Sequence, residues 1–200
     1  MDNKRALSVD MFKNKADFVQ NLPNILTFLR ILVIPFVVLT FSFPGTFWAW
    51  LGCSLFIAAS VTDWFDGYLA RRLGSTSSLG RVLDPIADKL LVAATLLMMA
   101  AFDRLGYTGL WPAVIILCRE VLVSGLREFL AEIQVGMPVT RLAKWKTGVQ
   151  MTAIPMLMVA DYSPWFCYFG ETGEVLLWIA AILTIATGYD YLRSGLKHLN

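Results

Sequence analysis

The sequence predicts an all-α polytopic membrane protein, a bundle of six transmembrane helices, and three observations carry that prediction. The chain of 200 residues is 57% hydrophobic and 16% charged, with a mean hydropathy of +0.61. A soluble domain of this size needs more polar surface. Apolar runs recur along it at Asn24–Phe43, Trp48–Val61, Leu90–Phe102, Leu110–Val123, Gly148–Val159 and Val175–Thr187. Several are shorter than the roughly 20 residues that cross a bilayer, but each reaches that length by taking in polar residues at one end. The third observation is charge. With a cytoplasmic N-terminus, six spans place Lys4, Arg5, Lys13 and Lys15, then Arg71, Arg72 and Arg81, on one side. Arg127, Arg141, Lys144, Lys146, Arg193 and Lys197 follow on that same side, and the other side receives only Arg104 among basic residues. This is the positive-inside pattern.

Residues 1–20 form a cytoplasmic tail or a short interfacial helix, and residues 21–200 form the membrane domain. The N-terminus does not read as a cleavable signal: DMFKNKADFVQ separates the first charges from the first apolar run, without a persuasive small-residue cleavage site. Asn21-Leu22-Pro23-Asn24 opens the first helix, which runs towards Phe43 with Pro35 as a bend. Pro44 and Gly45 mark a turn, and helix two spans Phe47 to about Arg72. Gly74–Ser78 is a Ser/Gly-rich turn before helix three, about Leu79 to Phe102. Asp103–Gly109 is a loop, and helix four follows to about Ile133. Gly136, Pro138 and Thr140 mark the next connection, and helix five covers about Arg141 to Val159. Asp161–Gly173 reads as the longest external loop, with Pro164, Trp165, Phe166 and Tyr168 for an interfacial aromatic belt. Helix six carries the chain to about Leu196.

Some chemistry is disfavoured at once. Cys53, Cys118 and Cys167 are odd in number, show no metal-ligand spacing and read as packing thiols. His198 is the only histidine and sits at the C-terminus, so histidine base catalysis is a poor fit.

The informative stretch is DWFDGYLARRLGSTSSLGRVLDPIAD, at the junction of helices two and three. Asp63 and Asp66 are spaced i,i+3 and Asp84 and Asp88 i,i+4, so each pair shares a helix face. Carboxylates near a bilayer are costly unless they bind something. Two such faces together repel one another unless protons or hard cations relieve them, and all-oxygen ligation suits Mg²⁺ or Mn²⁺. Gly67 and Ala70 thin the face beside the acids and Gly80 thins the start of the opposing helix, although small residues also serve close helix packing. Arg71 supplies a fixed positive fork suited to phosphate. Carboxylates, divalent metal and arginine together point to phosphoryl chemistry.

The spacing D-x2-D-G-x2-A-R-x8-G-x3-D-x3-D resembles the signature of the CDP-alcohol phosphatidyltransferase family, and the likeness extends over nearly the whole chain. NLPNILTFLRILVIP, REVLVSGLREFLAE and KWKTGVQM resemble the branch of the family that uses glycerol 3-phosphate. The resemblance implies a six-helix bacterial inner-membrane enzyme, usually a homodimer, whose polar cavity opens to the cytoplasm. CDP-diacylglycerol would place its acyl chains among membrane phospholipids and its nucleotide in the cavity, and glycerol 3-phosphate would attack with release of CMP. It assigns Asp63, Asp66, Asp84 and Asp88 to metal binding, as two Mg²⁺ or Mn²⁺ ions, with Asp88 also the general base. Asp66, Gly67, Ala70, Arg71 and Gly80 go to the nucleotide and pyrophosphate. Thr27 and Arg30, spaced i,i+3 on helix one, lie beside the same site in this branch; bonding to another helix is an equal alternative.

The acceptor phosphate needs a positive clamp of its own. Arg119 stands midway through apolar helix four, where an arginine is costly without a task, and adjacent Glu120 is expected to point elsewhere. Arg127, Arg141 and Lys144 are further candidates, with topology charge or headgroup contact as the bland alternative. Lys89 reads as a snorkelling or pairing residue. Trp64, Phe65 and Tyr68 read as lipid- or neighbour-facing. Three other readings compete: the same fold with inositol phosphate or serine as acceptor, a cation or proton transporter, and a non-catalytic scaffold. The gathering of acids and bases at one membrane side favours interfacial catalysis over transport.

Overall fold

A computed structural model describes residues 25–73, 78–135, 140–162 and 168–196; inside its helices the side chains of 63–73, 78–82, 84–85, 194 and 196 are outside the description. Six α-helices are present among the described residues: α1 Ile25–Phe41, α2 Thr46–Leu73, α3 Ser78–Ala101, α4 Gly106–Glu132, α5 Arg141–Val159 and α6 Phe169–Leu196. The stretch expected to be an interfacial helix, the helix-one entry at residues 21–24, the turn residues 74–77, Gly136 and Pro138, and Pro164, Trp165, Phe166 and Cys167 fall outside the described residues.

Local chemistry sets the helix ends. Gly45, at φ +122°, turns the chain between α1 and α2 in a conformation that side chains rarely adopt. α3 and α4 end in the same device. Asp103 (φ 54°) and Gln134 (φ 58°) take the left-handed conformation. The next amides then reach back five residues, Arg104 N to Met99 O at 2.8 Å and Val135 N to Leu130 O at 2.8 Å. These are Schellman closures without glycine. Thr140 caps α5 by accepting from the Ala143 amide at 3.2 Å.

Two boundaries differ from expectation. α4 begins at Gly106, one turn before the expected end of the loop, and α6 begins at Phe169 rather than after Gly173. The glycines in both stretches look like loop residues in sequence but serve as helix surface. A Cβ on Gly173 would lie 2.8 Å from Leu157 Cγ, so its absence lets α6 settle on α5. Gly52 does the same for α2 and α1, where a Cβ would stand 2.3 Å from Thr40 Oγ1.

α6 packs most extensively against α5 and then α4, and α2 lies against α5. Phe56, Leu91, Leu96, Met99, Ile116, Ile154, Met158 and Leu177 fill the shared core. Its outside is apolar: Phe28, Leu32, Phe36, Leu39, Leu97, Val121 and Ile182 are all exposed. The inside holds polar side chains, with Thr27, Arg30, Thr95, Lys146, Gln150, Thr184 and Thr187 buried. That inversion of ordinary soluble polarity suits an apolar surrounding. Among the described residues two helices, α4 and α6, are long and apolar enough to cross a membrane; α1 and the first part of α2 form shorter apolar helices. Cys53 is buried beside Pro155 O, but Cys118 is exposed. The packing role expected of Cys118 is corrected: α4 turns it outward with Val114, Val121 and Leu122.

Candidate functional site: a buried cationic centre between α4, α5 and α6

Helical register builds this centre. On α5, Lys146, Gln150, Ala153 and Leu157 recur at three- or four-residue spacing and all are buried. On α6, Leu177, Ala180, Thr184, Thr187, Gly188 and Tyr191 form the matching buried stripe. α4 brings Arg119 and Glu120 between them.

Arg119 is held on several sides. Its Nη2 donates to Thr187 Oγ1 at 3.1 Å, and that hydroxyl donates to Leu183 O at 2.8 Å. Its Nη1 lies 3.4 Å from Glu120 Oε1. The guanidinium carbon stands 5.8 Å from the centre of the Tyr191 ring, a weak cation–π approach. Gly188 makes room for the stem, since a Cβ there would lie 3.2 Å from Arg119 Cγ. Glu120 Oε1 also pairs directly with Lys146 Nζ. The expectation that Glu120 points away is therefore corrected. Adjacent residues start in different directions, but the Glu120 side chain is long enough to curl back to both Arg119 and Lys146.

Three polar atoms of this region are buried and have no hydrogen-bond partner among the described residues: Arg119 Nε, Gln150 Oε1 and Thr184 Oγ1. Buried helical threonines ordinarily bond a carbonyl one turn back, as Thr95 does to Leu91 O at 2.8 Å. Thr184 does not. Unmet donors and acceptors in a low-dielectric interior cost stability, so a polar group brought here would be stabilised.

Asp88 connects this centre to α3. Its carboxylate is half-buried, and Arg30 of α1, Lys146 of α5 and neighbouring Lys89 are the cations that act on it. Thr27 and Arg30 are buried at 1% and 2% exposure, on one side of α1 as their spacing implies. Lys89 in turn feels Glu128 of α4. Arg127 is exposed, with its guanidinium 5.4 Å from the same Tyr191 ring, and Arg141 and Lys144 are exposed on the first turn of α5. Asp63, Asp66, Gly67, Ala70 and Arg71 lie on α2, and Gly80 and Asp84 on α3. Their side chains are outside the description, as are those of Trp64, Phe65 and Tyr68. Among the described residues no group of three metal-ligating side chains gathers.

The pattern of the CDP-alcohol phosphatidyltransferases matches residues 20–186. The chain belongs to that family. It is 46% identical to the CDP-diacylglycerol–glycerol-3-phosphate 3-phosphatidyltransferase of Rickettsia felis, over 90% of this chain and 97% of the relative. The enzyme of the same name from Rickettsia typhi is 47% identical over 88% of this chain and 97% of its own length. That of Pectobacterium atrosepticum is 41% identical over 88% and 94%.

Sequence reasoning found Arg119 because a cation in an apolar run stands out. It missed Lys146, Glu120, Gln150, Thr187 and Gly188 as parts of one centre. A signal for Lys146 existed: Lys146, Gln150 and Leu157 share a face of α5 that Lys144 and Arg141 do not.

Proposed function

We propose that this chain transfers the phosphatidyl group of CDP-diacylglycerol to glycerol 3-phosphate, giving phosphatidylglycerophosphate and CMP. The observation that carries the reading is 41–47% identity, over nearly the full length, to several relatives named for this one activity. The buried cationic centre supports it, because an acceptor with a phosphate needs a clamp that a serine acceptor does not.

The acceptor hydroxyl attacks the phosphorus that carries diacylglycerol; the new P–O bond forms as the bond to CMP breaks. Asp88 is the base that takes the hydroxyl proton, since an alcohol is a weak nucleophile at neutral pH. Arg119, with Arg127, Arg141 and Lys144 nearer the cytoplasmic side, holds the acceptor phosphate. Thr27, Arg30, Asp66, Gly67, Ala70, Arg71 and Gly80 hold the nucleotide and pyrophosphate.

Family membership implies use of a divalent metal, and the donor set fits one. Its four aspartates offer oxygen donors alone, and the two helices that carry them are in contact. Asp63, Asp66, Asp84 and Asp88 would hold Mg²⁺ or Mn²⁺, as two ions, without softer ligands. When bound, the metal screens phosphate charge and makes CMP a better leaving group.

The reading places all six helices in a bacterial inner membrane, which the apolar exterior suits, with N-terminus and active site towards the cytoplasm on the charge pattern, as a homodimer among membrane phospholipids. The test is CMP release by purified protein in lipid nanodiscs with CDP-diacylglycerol, Mg²⁺ and a panel of acceptors. Glycerol 3-phosphate should drive release far above inositol phosphate or serine. Equal or greater release with another acceptor would overturn the assignment.

A further inference from the structure

Glu120 is the one carboxylate that touches both interior cations, Arg119 and Lys146, among the described residues. Lys146 is only 4% exposed, and it is seated one turn from buried Gln150. Arg119, held by Thr187 and beside Tyr191, is the second cation of this pocket, so Glu120 pairs directly with two positive groups at once. Such a pocket is costly when empty, and breaking a buried pair by removing one partner costs more than the pair contributes. Glu120 therefore stabilises the cations in the absence of ligand.

Its grip on Arg119 is loose. The separation of 3.4 Å exceeds the roughly 2.7–2.9 Å of a well-made charge-assisted bond. Arg119 Nε has no partner among the described residues, so the guanidinium keeps unused donor capacity. A phosphate monoester offers what this carboxylate does not: about −1.5 to −2 charge and three strong acceptor oxygens on one centre. The two anions compete for the same two cations, and their mutual repulsion in a low-dielectric interior opposes both sitting there together.

We propose that Glu120 is a positioning residue that acts as an internal counter-ion: its carboxylate holds Arg119 and Lys146 until the acceptor's phosphate takes its place on them. The inference rests on the reading of Arg119 as the acceptor-phosphate clamp and adds Lys146 to it. It gives the site a direction. The cations stay ordered while the site is empty, and displacement of Glu120 accompanies acceptor binding rather than nucleotide binding.

The test compares wild type, Glu120→Gln and Glu120→Asp, full-length in nanodiscs with Mg²⁺. It reads kcat, the KM values of glycerol 3-phosphate and CDP-diacylglycerol, and inhibition by inorganic phosphate. Without the competing charge, Glu120→Gln should lower the KM of glycerol 3-phosphate by about three- to tenfold and strengthen phosphate inhibition to match. The KM of CDP-diacylglycerol should not move. Glu120→Asp, whose shorter reach withdraws the carboxylate, should fall between. A residue with a merely structural role would leave the acceptor KM in place. An unchanged or raised acceptor KM in either folded variant overturns the inference, and Glu120→Asp decides it alone where Glu120→Gln does not fold. Absence of turnover with glycerol 3-phosphate in folded wild type instead overturns the functional reading beneath it.

Discussion

Gly188→Ala separates the positioning of Arg119 from the stability of the bundle. The added methyl would sit 3.2 Å from Arg119 Cγ and 3.8 Å from its Nε, against about 3.5–4.0 Å for a relaxed carbon contact. The arginine stem must retreat by a few tenths of an ångström. That movement draws Nη2 from Thr187 Oγ1, which it now meets at 3.1 Å; near 3.6 Å such a bond is lost. A hydrogen bond to a charged group contributes about 1.5–3 kcal/mol, so partial loss costs about 1 kcal/mol. In an acceptor-binding equilibrium that is roughly a fivefold change. Alanine in place of glycine inside a helix returns up to about 1 kcal/mol, which offsets the packing penalty. Thermal unfolding of Gly188→Ala should therefore stay near that of wild type, while the KM of glycerol 3-phosphate rises about three- to tenfold. Parallel kinetics with each substrate in turn check this. An unaltered acceptor KM in the folded variant, or a rise confined to CDP-diacylglycerol, would refute the placement of Arg119.

Asp88→Asn should remain folded yet lose roughly 10²–10⁴-fold in turnover, the contribution typical of a positioned base, measured as CMP release; near-normal turnover removes Asp88 from that role. Chelation with EDTA should abolish transfer, and added Mg²⁺ or Mn²⁺ should restore it; full activity in the chelated protein would contradict the carboxylate site. Gly52→Ala would drive a methyl into Thr40 Oγ1 and press Met158 Cε at 3.3 Å, so it should destabilise the bundle by about 1–3 kcal/mol, read as earlier thermal unfolding. Thr40→Ala, which removes the obstructing hydroxyl, should recover part of that loss; no effect of either change would mean that α1 and α2 are not in close approach there.

The bundle was legible because its signals are long and repeated. Apolar runs fixed the helices, and Arg141 to Val159 matched α5 at both ends, the first because Thr140 is an ordinary cap. Other ends were hidden. Asp103 and Gln134 close α3 and α4 in a left-handed conformation that usually advertises itself by glycine. Gly170 and Gly173 instead looked like loop and are helix. In the candidate centre, Arg119 announced itself by standing in apolar sequence, and the spacing of Thr27 and Arg30 matched their shared burial. Lys146 was obscured by Arg141 and Lys144, since a run of basic residues at a helix start satisfies the topology rule without revealing which one turns inward. Glu120 was misjudged because Cβ direction says little about where a long side chain ends. Nothing local in the sequence singles out Gly188, whose task is defined by an arginine on another helix.

The central claim is tested most directly by supplying the purified, lipid-embedded protein with CDP-diacylglycerol, Mg²⁺ and labelled glycerol 3-phosphate, then following label into lipid and CMP into water. Transfer of label with one CMP released per lipid formed is the predicted result. CMP release without lipid labelling, or no reaction by protein shown to be folded, would contradict it.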